Sequence, residues 1–406
     1  MKHASVVIGA NFGDEGKGLM TDHFARMYGG TGVLVVRFNG GAQAGHTVVA
    51  DDGVRHVFSH FGAGTLAGAD TLLARHFIAN PIVFQRERGE LEGLGLDPLV
   101  TVDPRALVTT PYDMLINEMV ETSRGAARHG SVGLGINETV TRSDSRGFRL
   151  AIGDTLNGLA AVEEVLGKIR ETWVPRRVAA LGIEAEYGRR RELIESEALA
   201  ESWLAVVDDF LQRVHVRVDT EVLAEHEHVV FEGAQGLALD QARGLFPHVT
   251  RSNTGVRNVV EMLNELPPAE LLVTYATRGY LTRHGAGPLQ GELAEKPFPG
   301  VYDLTNVPHA FQGRLRYALL DLAALRDRIA KDFRDTEMLD RTHGIQLAAA
   351  VTCLDQLPET AAWTCAGESV RGAPHELVDA VRLHLRAEVF TARGPRAADI
   401  AASVPV

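Results

Sequence analysis

Apolar and polar positions alternate legibly over the first fifty residues. Ser5 to Ala10 (S-V-V-I-G-A) is a short apolar run, closed by Gly9 and Asn11, with the pattern of a buried strand. Lys17 to Tyr28 places Leu19, Met20, Phe24 and Met27 at helical spacings and predicts an amphipathic helix. Gly32 to Phe38 (G-V-L-V-V-R-F) reads as a second buried strand. Strand, loop, helix, strand is a βαβ unit, which implies a parallel sheet because the crossover helix packs back onto it. Ligands of such sheets gather where strand C-terminal ends meet loops, so 10–18 and 39–47 are candidate sites.

Further along, the periodicity predicts helices over 111–127, 154–172, 191–214, 254–265, 316–333 and 375–389. Strand-like runs occupy 228–232, 270–277 and 346–352. The stretch 173–200 is rich in Arg and Glu and predicts a solvated helical excursion. No repeat, low-complexity tract or linker cuts the chain. The expectation is one α/β domain over 1–406: a large, mostly parallel sheet flanked by helices, with a P-loop-like N-terminal unit and a helical excursion near 154–214.

Composition narrows the partners. Apolar residues make up 45% of the 406 and charged residues 23%, enough for a large core. A net charge of −12 argues against nucleic acid or a membrane surface as partner, while leaving room for small anions at a local basic site. Cys353 and Cys365 form neither a disulfide framework nor a zinc pattern, which predicts two free thiols in a reducing cytoplasm. No run approaches the roughly 18 apolar residues of a spanning helix, and no signal-peptide pattern opens the sequence, so the expectation is a soluble cytoplasmic protein.

The chemistry concentrates in a few stretches. N-F-G-D-E-G-K-G-L-M (11–20) resembles a phosphate loop without matching a strict Walker A: Asn11 replaces the first glycine and Gly18 the hydroxyl residue. Gly13, Gly16 and Gly18 permit a tight turn, and the helix after it aims free N–H groups at an anion. Lys17 can neutralise a terminal phosphate, and Asp14 can hold the Mg²⁺ that a Ser or Thr would otherwise hold. The plainer reading is that Asp14 or Glu15 caps the helix; for Glu15 it weighs equally with function. In F-N-G-G-A-Q-A-G-H-T (38–47) three glycines bring His46 to a strand end as a proton or hydrogen-bond donor. V-V-F-E-G-A-Q-G (229–236) and P-H-V-T-R-S-N-T-G (247–255) follow apolar runs with polar side chains, and taken alone read as turns. In F-Q-G-R-L-R-Y (311–317), Arg314 and Arg316 alternate and in extended backbone would share a face able to grip carboxylates, against the plainer reading of a basic turn.

In order, G-D-E-G-K-G, G-G-A-Q-A-G-H-T, F-E-G-A-Q-G with P-H-V-T-R-S-N-T, T-R-H-G-A-G-P (282–288) and G-R-L-R (313–316) resemble the adenylosuccinate synthetase family, from Val6 to about Arg396. The resemblance implies a ligase that joins L-aspartate to a 6-oxopurine nucleotide, IMP with GTP, through a 6-phosphoryl intermediate. It implies Asp14 as base for the N1 proton and as Mg²⁺ ligand with the carbonyl of Gly45, His46 as general acid, and Lys17 with Gly13, Glu15, Gly16 and Gly18 as the phosphate loop. Acceptor-nucleotide positions are Gln43, Ser131, Arg146, Gln235 and Thr250. Gln312, Gly313, Arg314 and Arg316 match the aspartate loop, and Asp355, Gly394 and Arg396 the donor-base region. The family is a homodimer in which an arginine crosses to the neighbour's nucleotide; Arg146 in S-R-G-F-R matches it with shifted spacing.

Four departures surround substrate choice. Gln43 replaces the family's asparagine; G-S-V-G (130–133) replaces G-T-T-G; Phe311-Gln312 replaces two threonines; and T-C-L-D puts Cys353 where a lysine precedes Asp355. A related viral branch adds aspartate to dGMP and often carries serine at the Asp14 position, so Asp14 favours IMP. The alternatives are the same chemistry on GMP, dGMP or a nucleoside-analogue monophosphate, ATP as donor, and a non-catalytic nucleotide-binding regulator, against which the intact Asp14 and His46 weigh.

Overall fold

The computed structural model describes residues 1–306, 312–339 and 343–402. Its centre is a ten-stranded sheet in the order Ile400–Ala402, Glu388–Ala392, Gly344–Thr352, Glu270–Arg278, His3–Gly9, His228–Gly236, Leu34–Arg37, Asp70–Leu73, Val100–Val102 and His215–Val216. Every neighbouring pair is parallel except the antiparallel edge strand Ile400–Ala402. The predicted α/β class therefore holds. His3–Gly9 (β1), Lys17–Met27 (α1) and Leu34–Arg37 (β2) form the predicted βαβ unit, with His228–Gly236 inserted between its two strands.

Both faces of the sheet are covered, which explains why its strands read as continuous apolar runs. On one face Met20 and Phe24 of α1 pack with Val7, Val35, Val230 and Ala348. On the other, Val259 and Met262 of Arg257–Leu263, Leu325 and Ile329 of Leu322–Phe333, and Leu377 and Val381 of Pro374–Leu385 meet Val6, Val36 and Val273. A separate core lies under the helical region, where Phe84 meets Phe210 edge to face at 4.7 Å and Trp203 is buried.

Several predicted helices are broken where local chemistry overrides periodicity. The 154–172 stretch is interrupted at Gly158 (φ 95), and Leu159–Lys168 then continues through a π turn, Ile169–Trp173, into Val174–Leu181. The 191–214 stretch splits at Ser196, which stays extended between Glu184–Glu195 and Glu197–Gln212. In the 173–200 excursion Trp173, Val174, Ile183 and Ile194 are buried, so it is packed as well as charged. The 316–333 helix is corrected: Arg316–Leu319 is a strand of a small antiparallel sheet with Tyr280–Arg283 and Glu292–Leu293. The helix begins only at Leu322, after Asp321 caps it through Ala324 N–H (2.8 Å). The 375–389 helix stops at Leu385, because Arg386 adopts a left-handed cap before the strand Glu388–Ala392.

One buried pair supports the loop after residue 127. Helix Pro111–Arg124 starts with a capping box between Thr110 and Asp113. Asp113 also receives Arg142 Nε (2.9 Å) and Nη2 (2.9 Å), both residues being fully buried. Asp113→Ala would leave the Arg142 guanidinium buried without its carboxylate, and urea denaturation should show a loss of about 3–5 kcal/mol.

Candidate functional site

The N-terminal loop arrives with its helix end open. Gly16 sits at the N-cap with φ 88, and no side chain caps α1. The capping reading of Asp14 and Glu15 is thereby corrected. Asp14 is itself in a left-handed conformation (φ 58), and its Oδ2 lies 2.9 Å from His284 Nε2. Glu15 folds back to accept the Asn11 N–H at 2.7 Å, so it braces the loop instead. The first-turn N–H groups of α1 are left for an anion.

Lys17 is 4% exposed, with Nζ 3.7 Å from Glu15. Asn11 ties the loop down: its amide donates to Thr277 Oγ1 (3.0 Å), and its oxygen accepts from the Arg328 guanidinium, whose Nε also reaches Ala10 O (3.2 Å). The missing Walker hydroxyl has a steric cause. A Cβ on Gly18 would already stand 3.0 Å from both His46 Cβ and Thr47 O, so a Ser or Thr there would crowd α1 against the second loop.

That contact brings His46 beside the phosphate loop. His46 opens a short hairpin, His46–Val49 with Arg55–Phe58, and is 5% exposed. Its Nδ1 meets Glu232 Oε1 at 2.5 Å; Glu232 is fully buried and accepts the Ala63 N–H (2.9 Å), with Arg37 Nη1 3.9 Å away. Burial, with the charges of Arg37 and Lys17, holds the imidazole down at about 4 against the pull of Glu232. Burial pushes Glu232 upward, but His46 and Arg37 outweigh it and keep its carboxyl below the usual range. At neutral pH the uncharged imidazole therefore donates Nδ1–H to an ionised Glu232. The sequence reading quoted Glu232 without a role; a carboxylate amid an apolar strand was the available signal.

Asp14 is held ionised. Burial opposes this, but the hydrogen bond and charge of His284, with the charges of Arg278 and Lys17, hold its carboxyl at about 2. Burial pulls His284 down and the Asp14 contact outweighs it, so His284 lies above its ordinary value. Arg278 Nε donates to the Asp14 carbonyl, and Nη2 to Asp303 (3.1 Å). No role follows from the sequence for His284, which lies in the quoted T-R-H-G-A-G-P, or for Arg278, which ends the strand Glu270–Arg278.

The other expected positions divide. Gln235 (φ 66) flanks the phosphate loop, its Cα 4.0 Å from where a Gly13 Cβ would stand. Both amide atoms of Gln43 are buried without a partner among the described residues, the condition of a group that awaits a ligand. Thr250 lies two residues from Ser252, whose Oγ accepts the Gly40 N–H (3.2 Å). Asp355 and Gly394 with Arg396 follow neighbouring strands paired at Val351 and Thr391, and Thr352 Oγ1 donates to Glu15 O (3.0 Å), joining that region to the phosphate loop. Gln312 comes near the 130–133 loop: its Cα is 3.5 Å from where a Gly130 Cβ would stand.

Three further expected positions have the following surroundings. Ser131 Oγ donates to Asn117 Oδ1 (2.8 Å), and the amides of Gly130 and Ser131 donate to Glu121 (2.7 and 3.2 Å), so these donors are already engaged. Arg314 and Arg316 do not form a matched free pair. Arg314 is exposed in a bend preceded by Gly313 (φ 72), while Arg316 binds the Glu292 carboxylate and the carbonyls of Gly285 (2.9 Å) and Gly287 (2.8 Å). Arg146 is exposed and forms no ion pair among the described residues. Phe311 lies outside the described residues.

Asp14 offers the kind of oxygen ligand that a hard cation takes. Asp14 is ionised with its side chain 24% exposed, and Gly45 is exposed. No group of three or more His, Cys, Asp or Glu among the described residues could hold a metal. One carboxylate and one carbonyl, completed by substrate oxygens, is what Mg²⁺ accepts.

A parallel sheet whose phosphate-type loop, buried acid–base pair and basic residues share one edge defines a nucleotide-dependent α/β enzyme site. The adenylosuccinate synthetase family profile matches residues 6–382, and the chain belongs to that family of ligases. An adenylosuccinate synthetase of Xanthomonas campestris pv. campestris is 30% identical over 81% of this chain and 75% of its own length. The fold is similar to fully ligated adenylosuccinate synthetase from Plasmodium falciparum (TM-score 0.74, 18% identity, 98% and 99% of the two chains). It is also similar to cyanophage S-2L succinoaminodeoxyadenylate synthetase bound to dGMP and dATP (TM-score 0.63, 16% identity, 99% and 95%).

The Asp14 environment predicts a pH dependence. Because its carboxyl lies at about 2 against an ordinary 3.8, its contribution to stability is present above about pH 4 and is lost as pH falls through about 2. Urea midpoints measured from pH 5 to 2 should fall less steeply for Asp14→Asn than for the wild type.

Proposed function

We propose that this protein joins L-aspartate to C6 of IMP, using GTP and releasing GDP and phosphate. The observation that carries the reading is the packing of Gly18 against His46, which sets a carboxylate base, a lysine and a histidine around one open helix terminus. Phosphoryl transfer needs such positioning and charge neutralisation more than it needs covalent help.

In the first step O6 takes the γ-phosphoryl group while Asp14 takes the N1 proton. As a base Asp14 must first lose its His284 hydrogen bond, since that bond helps hold its carboxyl at about 2. Lys17 and the free N–H groups of α1 face the transferring group. Asp14 and the Gly45 carbonyl would hold Mg²⁺, which supplies charge neutralisation at the phosphates when bound. In the second step the aspartate amine attacks C6, phosphate leaves with the C6–O electron pair, and the new C6–N bond's nitrogen sheds one proton to solvent.

His46 stabilises charge at O6. Its Nδ1–H is committed to Glu232, so donation from Nε2 requires a proton taken up as the anionic nucleotides bind, which their charge favours. Glu232 orients the ring, fixes the tautomer and favours the imidazolium. Gln43, Gln235 and Thr250 are assigned to the acceptor, Arg314 to aspartate, and Asp355, Gly394 and Arg396 to the donor base. The exposed Arg146 suits a homodimer in which it reaches the neighbouring copy, and the cytoplasm is the compartment this reading requires.

The test is a matrix of IMP, GMP and dGMP against GTP and ATP with aspartate and Mg²⁺, products identified by mass. IMP with GTP should give adenylosuccinate, and Asp14→Asn should give none. A product from dGMP alone would assign the chain to the cyanophage type of chemistry, and nucleotide binding without phosphate release would make it a regulator. For Glu232→Gln we expect kcat to fall about 10²–10³-fold with KM for aspartate little changed. A normal kcat in that variant would remove Glu232 from the proton path.

A further inference from the structure

The strand Ala361–Cys365 ends in a tight hairpin turn through Ala366 (φ 51) and Gly367 (φ 89), with Cys365 opposite Glu368. Ala361 and Trp363 are buried on one face of the strand, and Cys365, half-buried, carries that face out of the core. There the thiol meets helix Pro374–Leu385. Cys365 Sγ lies 3.2 Å from His384 Nε2, and His384 Nδ1 lies 2.8 Å from the Ala380 carbonyl oxygen. A carbonyl oxygen only accepts, so Nδ1 carries the ring proton, and Nε2 of the neutral ring is left to accept from the thiol. A nucleophile beside a base that a third group orients is the arrangement that activates a thiol. Packing alone asks for none of this, since a cysteine at the edge of a core behaves as a small apolar residue.

His384 also lines a cavity of about 520 Å³ between its own helix and Leu322–Phe333. Ile329, Leu347 and Leu385 give that cavity apolar walls. Its rim is cationic: Arg326, Lys331, Arg334 and Arg386 stand against one lining carboxylate, Asp327, which Arg326 holds at 3.0 Å. Helix C-termini favour cations, which accounts for Lys331 near the end of one helix and Arg386 just past the other. It does not account for both ends meeting around one apolar cavity in a chain of net charge −12. An apolar hollow ringed by surplus positive charge suits an anion with an apolar or polarisable body.

The cavity is separate from the nucleotide site. Leu347 lies in the first half of the strand Gly344–Thr352, whereas Thr352, at the other end, reaches Glu15 of the phosphate loop. Arg328, on the same helix as Ile329, turns to the phosphate loop and donates to Ala10 O (3.2 Å). The second thiol offers an internal contrast. Cys353 Sγ accepts only a long contact from Thr352 Oγ1 (3.9 Å) among the described residues, with no imidazole beside it.

We propose that Cys365 is a modification site, which undergoes thiol–disulfide exchange with a small anionic disulfide seated by its carboxylates on the basic rim of this cavity. The Cys365 thiol proton passes to His384 Nε2, and the thiolate attacks one sulfur of the disulfide. A new S–S bond forms to Cys365 as the old one breaks, and the departing thiolate takes the proton from His384. The disulfide is itself the oxidant: one half is released as a reduced thiol while Cys365 is oxidised. No part of this step draws on the ligase reading.

The reduced full chain is treated with oxidised glutathione (anionic), hydroxyethyl disulfide (neutral) or cystamine (cationic). Adducts are timed by intact mass and located by peptide mapping, and each rate is divided by that of free N-acetylcysteine with the same disulfide. Cys365 should be modified before Cys353, with a relative rate for oxidised glutathione at least about tenfold above that for the neutral disulfide and cystamine slowest. His384→Gln should slow all three at least about tenfold. Lys331→Gln combined with Arg386→Gln should bring the anionic and neutral relative rates within about threefold and leave the neutral rate unmoved. Modification first at Cys353, or equal relative rates for the three disulfides, would overturn the site. So would an unchanged rate in His384→Gln, which would leave the imidazole no part in the exchange. If His384→Gln does not fold, the rim variant decides, because only an anion seated on that rim makes its effect depend on the charge of the disulfide.

Discussion

Charge at the C-terminal edge of this sheet is buried in partnerships, and the site depends on them. Glu232 on a central strand reaches His46 on the second loop and stands near Arg37 on the strand between, all three buried. Each would be costly alone in so dry a place. Together they cross-link two strands and a loop, fix the histidine tautomer and hold the ring against α1. The same logic applies on the other side of the phosphate loop, where Asp14, His284 and Arg278 combine.

These partnerships set the charge state of both groups. His284, with Arg278 and Lys17, holds Asp14 strongly acidic, and burial with the charges of Arg37 and Lys17 keeps His46 neutral. In the proposed reaction, a nucleotide that brought anionic phosphates beside Lys17 would favour the imidazolium and compete for the groups around Asp14. The same pairings brace the phosphate loop from both sides.

The glycines of the two loops act through contact as much as through conformational freedom. Gly16 needs its left-handed cap, and a Cβ there would stand 2.9 Å from Thr352 Cγ2. Gly18 lets α1 approach the second loop closely enough to bring lysine and histidine together. The departure from a Walker pattern at residue 18 is therefore part of how the two loops are joined.

Much was legible in the sequence because it is local. Apolar runs of Val and Ile declared the parallel strands, the 3.6-residue spacing declared α1, and ordered motifs pointed to the family and to Asp14, Lys17 and His46. The 316–333 helix failed where a distant partner decides: Arg316 enters a strand because Tyr280–Arg283 offers it a ladder. Glu232, Arg278 and His284 acquire meaning only from neighbours far away in the chain. Residue type and spacing determine which chemistry a chain can carry. Which charges are buried, and against what, is decided only when the strands assemble, because desolvation and pairing are properties of place.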